Sequence, residues 1–234
     1  MNIVILTGAG ISAESGIGTF RDAGGLWEQY PIEQVATPEG FAADPDLVHR
    51  FYNARRANAA QAEPNAAHRA LAKLERQHTG DVLIVTQNVD DLHERGGSQN
   101  VLHMHGALNR ATCSACGHTW PAPTEMHTSD PCPKCTAPST RPDIVWFGEI
   151  PQGMNSIESK LRTADLFVSI GTSGTVYPAA GFVQSANALG LRTLELNLET
   201  SSGAFDESRT GPATQLVPTW VEEVLSQQRN STKL

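Results

Sequence analysis

The chain is 234 residues long and acidic, with 17 Lys and Arg against 25 Asp and Glu and a net charge of −8. That balance, without any basic run, argues against a nucleic-acid partner, and the lack of a long uninterrupted apolar stretch argues against a membrane-spanning helix. The length suits one medium domain, or one domain with a small insert. The first apolar run begins at Ile3, so no secretory leader is expected, and four cysteines confined to residues 113–135 are not spread as a disulfide framework. A cytoplasmic protein is the expectation.

Apolar runs that read as strands recur at Ile3–Leu6, Val82–Thr86, Ile144–Phe147, Leu166–Ile170 and Thr193–Leu196, with a short candidate at Leu216-Val217. Most are continuous rather than alternating, the pattern of parallel strands covered on both faces. Between them, residues 66–76 place Ala67, Leu71 and Leu74 on one helix face behind a candidate cap at Asn65. Residues 179–189 make a second helix ending at Gly190, residues 217–225 a third, and the polar tail from Ser226 is expected to be loose. The expected fold class is α/β, a Rossmann-like parallel sheet with helices on both sides. Two segments break the alternation: residues 28–63 are helical without a strand, and residues 107–143 are loop-like and rich in Cys, Pro and Thr. Both read as insertions forming a second, smaller lobe, leaving residues 1–27, 64–106 and 144–234 to the sheet domain. The crevice between the two is the natural binding site.

The first strand runs straight into a glycine turn, residues 7–27. Gly8, Gly10 and Ala13 satisfy the G-x-G-x-x-A form, in which glycines let backbone N–H groups approach a diphosphate at a helix start. By itself that signal also fits a plain flexible loop. A standard dinucleotide domain continues into a long helix; here Gly16, Gly18, Gly24, Gly25 and Pro31 prevent one and leave Arg21 and Asp22 in mid-loop. The later strand ends carry small or polar groups on the side where open α/β sheets bind ligands. Thr86-Gln87-Asn88-Val89-Asp90 offers an amide and a carboxylate for a carboxamide and ribose hydroxyls, and reads equally as a capped helix start. Gly171-Thr172-Ser173, Asn197-Leu198-Glu199 and Gly211-Pro212-Ala213 follow the remaining strands.

Cys113-x-x-Cys116 and Cys132-x-x-Cys135 are separated by 15 residues. Each pair suits a knuckle presenting two thiolates, and two knuckles complete a four-sulfur tetrahedron with no position left for water, so the zinc is expected to be structural. A redox C-x-x-C pair is the rival reading, and the repeat of the motif at this spacing argues against it. In Val101-Leu102-His103-Met104-His105-Gly106 either histidine has a suitable side chain for general-base work near neutrality. The residues alone do not choose between them.

In this order the 7–27 loop, the 86–90 run, the His-Gly pair, the two knuckles and Arg141-Pro142-Asp143-Ile144-Val145-Trp146-Phe147-Gly148-Glu149 closely resemble the sirtuin family, the NAD-dependent protein-lysine deacylases. The resemblance covers about residues 3–225. It implies NAD as co-substrate, bound by Gly8, Ala9, Gly10, Ser12, Ala13, Phe20, Arg21, Trp27, Gln87, Asn88, Asp90, Gly171, Thr172, Ser173, Asn197, Glu199 and Ala213. It implies one zinc on Cys113, Cys116, Cys132 and Cys135. It selects His105, immediately before a glycine, as the catalytic base acting on a ribose hydroxyl. It makes the 141–149 segment a strand edge for an extended peptide, with Val145 and Phe147 beside the acyl-lysine stem.

Tyr52 and Arg55 stand at i and i+3 of the helical insert and share a face. Alone they read as a half-buried tyrosine beside a solvated arginine; together a phenol and a guanidinium suit a carboxylate. One sirtuin class carries Tyr-x-x-Arg here and removes succinyl and malonyl groups, its bacterial members deacetylating as well. The resemblance therefore implies both activities on acylated-lysine proteins or peptides, with nicotinamide, O-acyl-ADP-ribose and free lysine as products; a monomer is the expectation, though the sequence does not fix the oligomer. An ADP-ribosyltransferase built on the same site, and a zinc-knuckle binding module without catalysis, are the readings from other classes.

Overall fold

The computed structural model describes residues 1–18, 30–201 and 203–231. In chain order the elements are β1 (Ile3–Thr7), α1 (Gly10–Ala13), α2 (Ile32–Val35), α3 (Pro38–Ala43), α4 (Pro45–Gln61), α5 (Ala66–Gln77), β2 (Val82–Thr86), α6 (Leu92–Arg95), β3 (Val101–His103), β4 (Gly106–Cys113), β5 (Thr119–Pro121), β6 (Thr140–Ile144), α7 (Met154–Leu161), β7 (Leu166–Ile170), α8 (Phe182–Ala188), β8 (Arg192–Asn197), β9 (Glu207–Thr210) and α9 (Ala213–Ser231). Six strands form an all-parallel sheet in the order β3-β2-β1-β7-β8-β9.

The continuous apolar runs have a direct cause. Successive side chains point to opposite faces, and both faces are covered. Ile3, Ile5, Ile84, Val168 and Leu194 pack on α5 and α9 through Leu71, Leu74, Val217 and Val221. Val4, Leu6, Leu83, Val85 and Phe167 pack on α7 and α8 through Ile157, Leu161, Phe182 and Val183. Helix α5 starts at a complete capping box: the Asn65 side chain accepts from the Ala67 and His68 N–H groups, and His68 accepts from the Asn65 N–H.

Register sets where the site lies. Thr7 is level with Thr86 on one side and Ile170 on the other, and Ile170 is level with Leu196. The segments beginning at residues 8, 87, 171 and 197 therefore leave the sheet along one edge. The order reverses at β1, whose chain continues to β2 on one flank and is joined by β7 on the other, and such a point opens a crevice at the carboxyl ends of the strands.

Strands β4, β5 and β6 form a separate antiparallel sheet. It shares a core with α2–α4 in which Val35, Val48, Phe51, Tyr52, Leu108, Ile144 and Trp146 are buried together.

Four sequence expectations are corrected. Residues 107–143 are loop through most of their length, as expected, but also carry three strands that were not expected, β4, β5 and β6. The run Ile144–Phe147 is not a parallel strand: Thr140–Ile144 pairs antiparallel with β4 and the chain then turns, at Gly148 with φ +91°. Leu216-Val217 lies within α9, where Val217 is a core residue, because its apolar pair belongs to a helical stripe. The tail from Ser226 continues α9 to Ser231, with Gln228 donating to the Gln77 carbonyl. Among the described residues no helix is long and apolar enough to cross a membrane.

Leu71 is fully buried between the sheet, α5 and α9. Leu71→Ala is expected to cost about 2–5 kcal/mol in urea unfolding, and a loss below about 1 kcal/mol would contradict this packing.

Candidate active site

Gly8 and Gly10 pack directly against backbone. Gly8 N–H donates to the Ile170 carbonyl at 3.0 Å and Gly10 N–H to the Gly171 carbonyl at 2.8 Å. A Cβ on Gly8 would sit 2.8 Å from the Gly171 oxygen, and one on Gly10 2.8 Å from the Gly171 Cα. Two strand ends cross here at a distance only glycine permits. Ala9 and Ala13 flank them, half-buried.

Beneath the loop lies a buried polar cluster. Asn88 Nδ2 donates to Ser12 Oγ at 3.0 Å, and Ser12 Oγ lies 3.4 Å from His68 Nε2. His68 Nδ1 accepts from the Asn65 N–H at 3.3 Å, so the neutral ring carries its proton on Nε2 and donates to Ser12. Burial, then the Arg69 charge, holds His68 down at about 4. Behind it, His93 Nε2 pairs with Thr7 Oγ1 at 3.0 Å, and burial pushes His93 well below its usual range. Asp90 accepts from the Leu92 N–H at 3.1 Å, and burial raises its carboxyl although that bond and the Ser12 hydroxyl oppose the shift.

The two candidate bases are chemically different. His103 faces acceptors at both nitrogens, the Asn88 carbonyl at 3.0 Å from Nδ1 and the Glu94 carboxylate at 2.8 Å from Nε2. Burial would discharge it, but those acceptors win and its pKa is raised. Both of its nitrogens are turned to protein acceptors, so neither is free to face a substrate hydroxyl. His105 meets the Gln87 carbonyl at 3.1 Å from Nδ1. A carbonyl only accepts, so Nδ1 carries the proton and Nε2 keeps its lone pair; burial lowers its pKa and favours that neutral form. Gln87 is held in turn, its Nε2 donating to Thr172 Oγ1 at 3.0 Å and its N–H to the Thr7 carbonyl at 2.9 Å.

On the far side of the crevice, Asn197 Nδ2 donates to the Thr172 carbonyl at 2.8 Å. Ser173 pairs with Thr175 at 2.8 Å, Ala213 opens α9 in a buried position, and Glu199 is exposed. Below them Glu195, buried in β8, accepts from the Ser201 N–H at 3.0 Å and the Ser208 hydroxyl at 3.1 Å, pinning the loop after Asn197.

Next to His105, Val145 N–H donates to the His105 carbonyl, Trp146 N–H to Glu149 and Phe147 N–H to the Ala36 carbonyl, at 2.9, 2.8 and 2.9 Å. Among the described residues, the carbonyls of Val145 and Phe147 and the Gly148 N–H remain for a peptide beside this segment. Phe147 is 48% exposed and Val145 half-buried. Tyr52 is buried, with the Arg55 guanidinium 5.6 Å from its ring centre. Burial raises the Tyr52 phenol and lowers the Arg55 guanidinium, and Asp90 lies within Coulombic reach of Arg55.

The four cysteines fit a metal. Their sulfurs lie within 4.8 Å of one another, with Cys113 and Cys135 3.6 Å apart and Cys116 and Cys132 3.8 Å apart. Zinc–sulfur bonds of about 2.3 Å place tetrahedral sulfurs about 3.8 Å apart. The knuckles repeat each other: Cys113 N–H to His118 carbonyl and Gly117 N–H to Cys113 carbonyl are matched by Cys132 N–H to Ala137 carbonyl and Thr136 N–H to Cys132 carbonyl, all 2.9 Å. Gly117 and Thr136 both take positive φ, 68° and 61°. His118 stacks on Trp120 instead.

The Sir2 family profile matches residues 8–178. The chain belongs to the Sir2 family. An NAD-dependent protein deacylase of Caulobacter vibrioides is 55% identical over 232 residues, covering 97% of this chain and 98% of that one. One of Leishmania major is 56% identical, covering 96% of each chain. Among solved structures, a Sir2 homologue in complex with NAD aligns with a TM-score of 0.88 at 38% identity, over 97% of this chain and 90% of that one.

Within this Sir2-family chain, the sequence reading did not single out His68, His93 or Glu195 for the site. The Asn65-x-x-His68 spacing of a capping box, and an acid inside the apolar run Thr193–Leu196, are the signals that mark two of them. Phe20, Arg21 and Trp27 lie outside the described residues.

Two outcomes follow. Elemental analysis is expected to find one zinc per chain, and Cys132→Ser to lose metal and unfold at lower denaturant; full zinc occupancy in that variant would contradict the four-sulfur site. Because His68 holds a proton less tightly folded than unfolded, its contribution is complete above about pH 6.5 and is lost as pH falls towards about 4, amounting to about 2 kcal/mol between pH 7 and pH 5. Urea titrations should show a flatter pH dependence for His68→Gln than for the parent; parallel curves would remove His68 from this role.

Proposed function

We propose that this chain is an NAD-dependent protein-lysine deacylase with His105 as general base, and that it takes succinyl and malonyl as well as acetyl groups. The observation that carries the first part is the His105 ring, protonated at Nδ1 by its bond to Gln87 and, among the described residues, unpartnered at Nε2. When bound, NAD supplies the ribose carbon that accepts the acyl oxygen and the hydroxyl that receives the acyl group. The residues present suit that molecule: a glycine crossing for a diphosphate, Gln87, Asn88 and Asp90 beside Ser12 for the nicotinamide ribose, and Thr172 with Asn197 for the adenosine half. His105 takes the hydroxyl proton at Nε2, and the Gln87 carbonyl steadies the imidazolium through Nδ1. Asp90, desolvated and near Arg55, orders the pocket. Residues 28–63 and 107–143 serve as the substrate-side domain, with Val145 and Phe147 along the lysine stem.

The second part rests on Tyr52 and Arg55, a phenol donor and a cation placed together where a neutral acetyl group needs neither. Four thiols kept for a metal suit a reducing, cytoplasmic setting.

The test is mass spectrometry with NAD and matched acetyl- and succinyl-lysine peptides. O-acyl-ADP-ribose is expected from both, and none from His105→Ala folded with full zinc. Nicotinamide release with ADP-ribose gained by protein, and both peptides unchanged, would make the chain a transferase instead. Arg55→Met should lose at least tenfold more desuccinylation than deacetylation; equal losses would remove the pair from acyl choice. Since burial lowers the His105 pKa from 6.5, the acid limb of kcat/KM should fall below pH 6.5; a limb above it would reject His105 as the base.

A further inference from the structure

The structure assigns Trp146 as a positioning residue for acyl choice: its indole N–H occupies a lone pair of Tyr52 Oη and leaves the Tyr52 hydroxyl proton for an anionic acyl group. This rests on Tyr52 and Arg55 being the acyl-recognition pair.

Trp146 Nε1 lies 3.0 Å from Tyr52 Oη, and both side chains are buried. An indole can only donate. The phenol oxygen is therefore the acceptor in this bond and its own proton is not used in it. Among the described residues that proton meets no acceptor. A buried hydroxyl without an acceptor is costly, and a carboxylate beside Arg55 would satisfy it. Burial keeps the phenol protonated at neutral pH, so it can donate.

Trp146 is itself held on three sides. The Arg141 guanidinium stacks 3.5 Å from the centre of its ring. Arg141 forks onto Glu149 at 2.7 and 2.9 Å, and Glu149 accepts the Trp146 N–H at 2.8 Å. Phe41 closes the remaining face, ring centres 5.1 Å apart. The planar fork suits carboxylate and aromatic face together. The turn that presents Val145 and Phe147 thus also fixes the indole, and the indole fixes the phenol. The Arg55 guanidinium also hydrogen-bonds the phenol, so the two donors on Tyr52 Oη direct its remaining proton away from themselves.

The test compares kcat/KM for succinyl- and acetyl-lysine peptides. Trp146→Phe keeps an apolar ring and removes the N–H. Desuccinylation is expected to fall about fivefold or more, mainly through KM, with deacetylation changed less than twofold. Tyr52→Phe should show the same selective loss, and the double variant should be no worse than Tyr52→Phe alone. Equal falls on both peptides, or undiminished desuccinylation, would overturn the assignment. Benzothienylalanine at position 146 replaces only the N–H by sulfur and decides the matter should the phenylalanine variant unfold. A parent protein that removes no succinyl group would overturn the Tyr52–Arg55 reading and this inference together, whereas active parent and indifferent variant would overturn this inference alone.

Discussion

The site depends on one hydrogen bond, from His105 Nδ1 to the Gln87 carbonyl. It sets the tautomer of the ring and ties together three parts of the chain. Gln87 leaves β2 at the carboxyl edge of the parallel sheet. His105 lies between β3 and β4, where the chain passes from that sheet to the antiparallel one. The His105 carbonyl accepts from Val145, the first residue beyond β6. The crossing is tight: a Cβ on Gly106 would stand 2.0 Å from the Asp143 carbonyl oxygen, and its φ is +80°. A glycine after the histidine is therefore a steric requirement of the hinge that presents the base.

Around this bond, burial and partners sort similar groups into different roles. His103 and His105 are two residues apart, yet acceptors at both nitrogens raise the pKa of one ring, while desolvation lowers that of the other, which has a single acceptor. His68 and His93 are neutral for want of water and shore up Ser12 and Thr7 from behind. Glu195 does the same for the adenosine side, accepting from Ser201 and Ser208. None of these supports reaches the crevice surface, and Ser12 and Thr7 are themselves buried, so His68 and His93 act one layer behind it.

Four strands of the parallel sheet, β1, β2, β7 and β8, were legible because strands covered on both faces read as unbroken apolar runs, and their carboxyl edge was legible because glycines and amides follow those runs directly; the edge strands β3 and β9, short and less buried, carry no such run. The knuckles were legible because their spacing repeats. What escaped the sequence depends on pairing between distant segments. Thr119–Pro121 and Thr140–Ile144 have weak patterns of their own and become strands by bonding to β4. Val145–Phe147 looked like strand because its side chains are apolar, yet its N–H groups go to a carbonyl, a carboxylate and another carbonyl from three different places. The choice between His103 and His105 needed the acceptors at each nitrogen, and only the folded chain supplies them. The resemblance chose His105 from its neighbouring glycine, and the hydrogen bonds give the physical reason.

The most direct measurement is the protonation state of the His105 ring, read by long-range proton–nitrogen NMR on protein labelled in histidine, with His105→Ala to assign the signal. At neutral pH the account predicts a neutral ring protonated at Nδ1 with a free Nε2, becoming an imidazolium only below pH 6.5. A ring protonated at Nε2, or already an imidazolium at neutral pH, would leave no lone pair at the position proposed for the base and would contradict it.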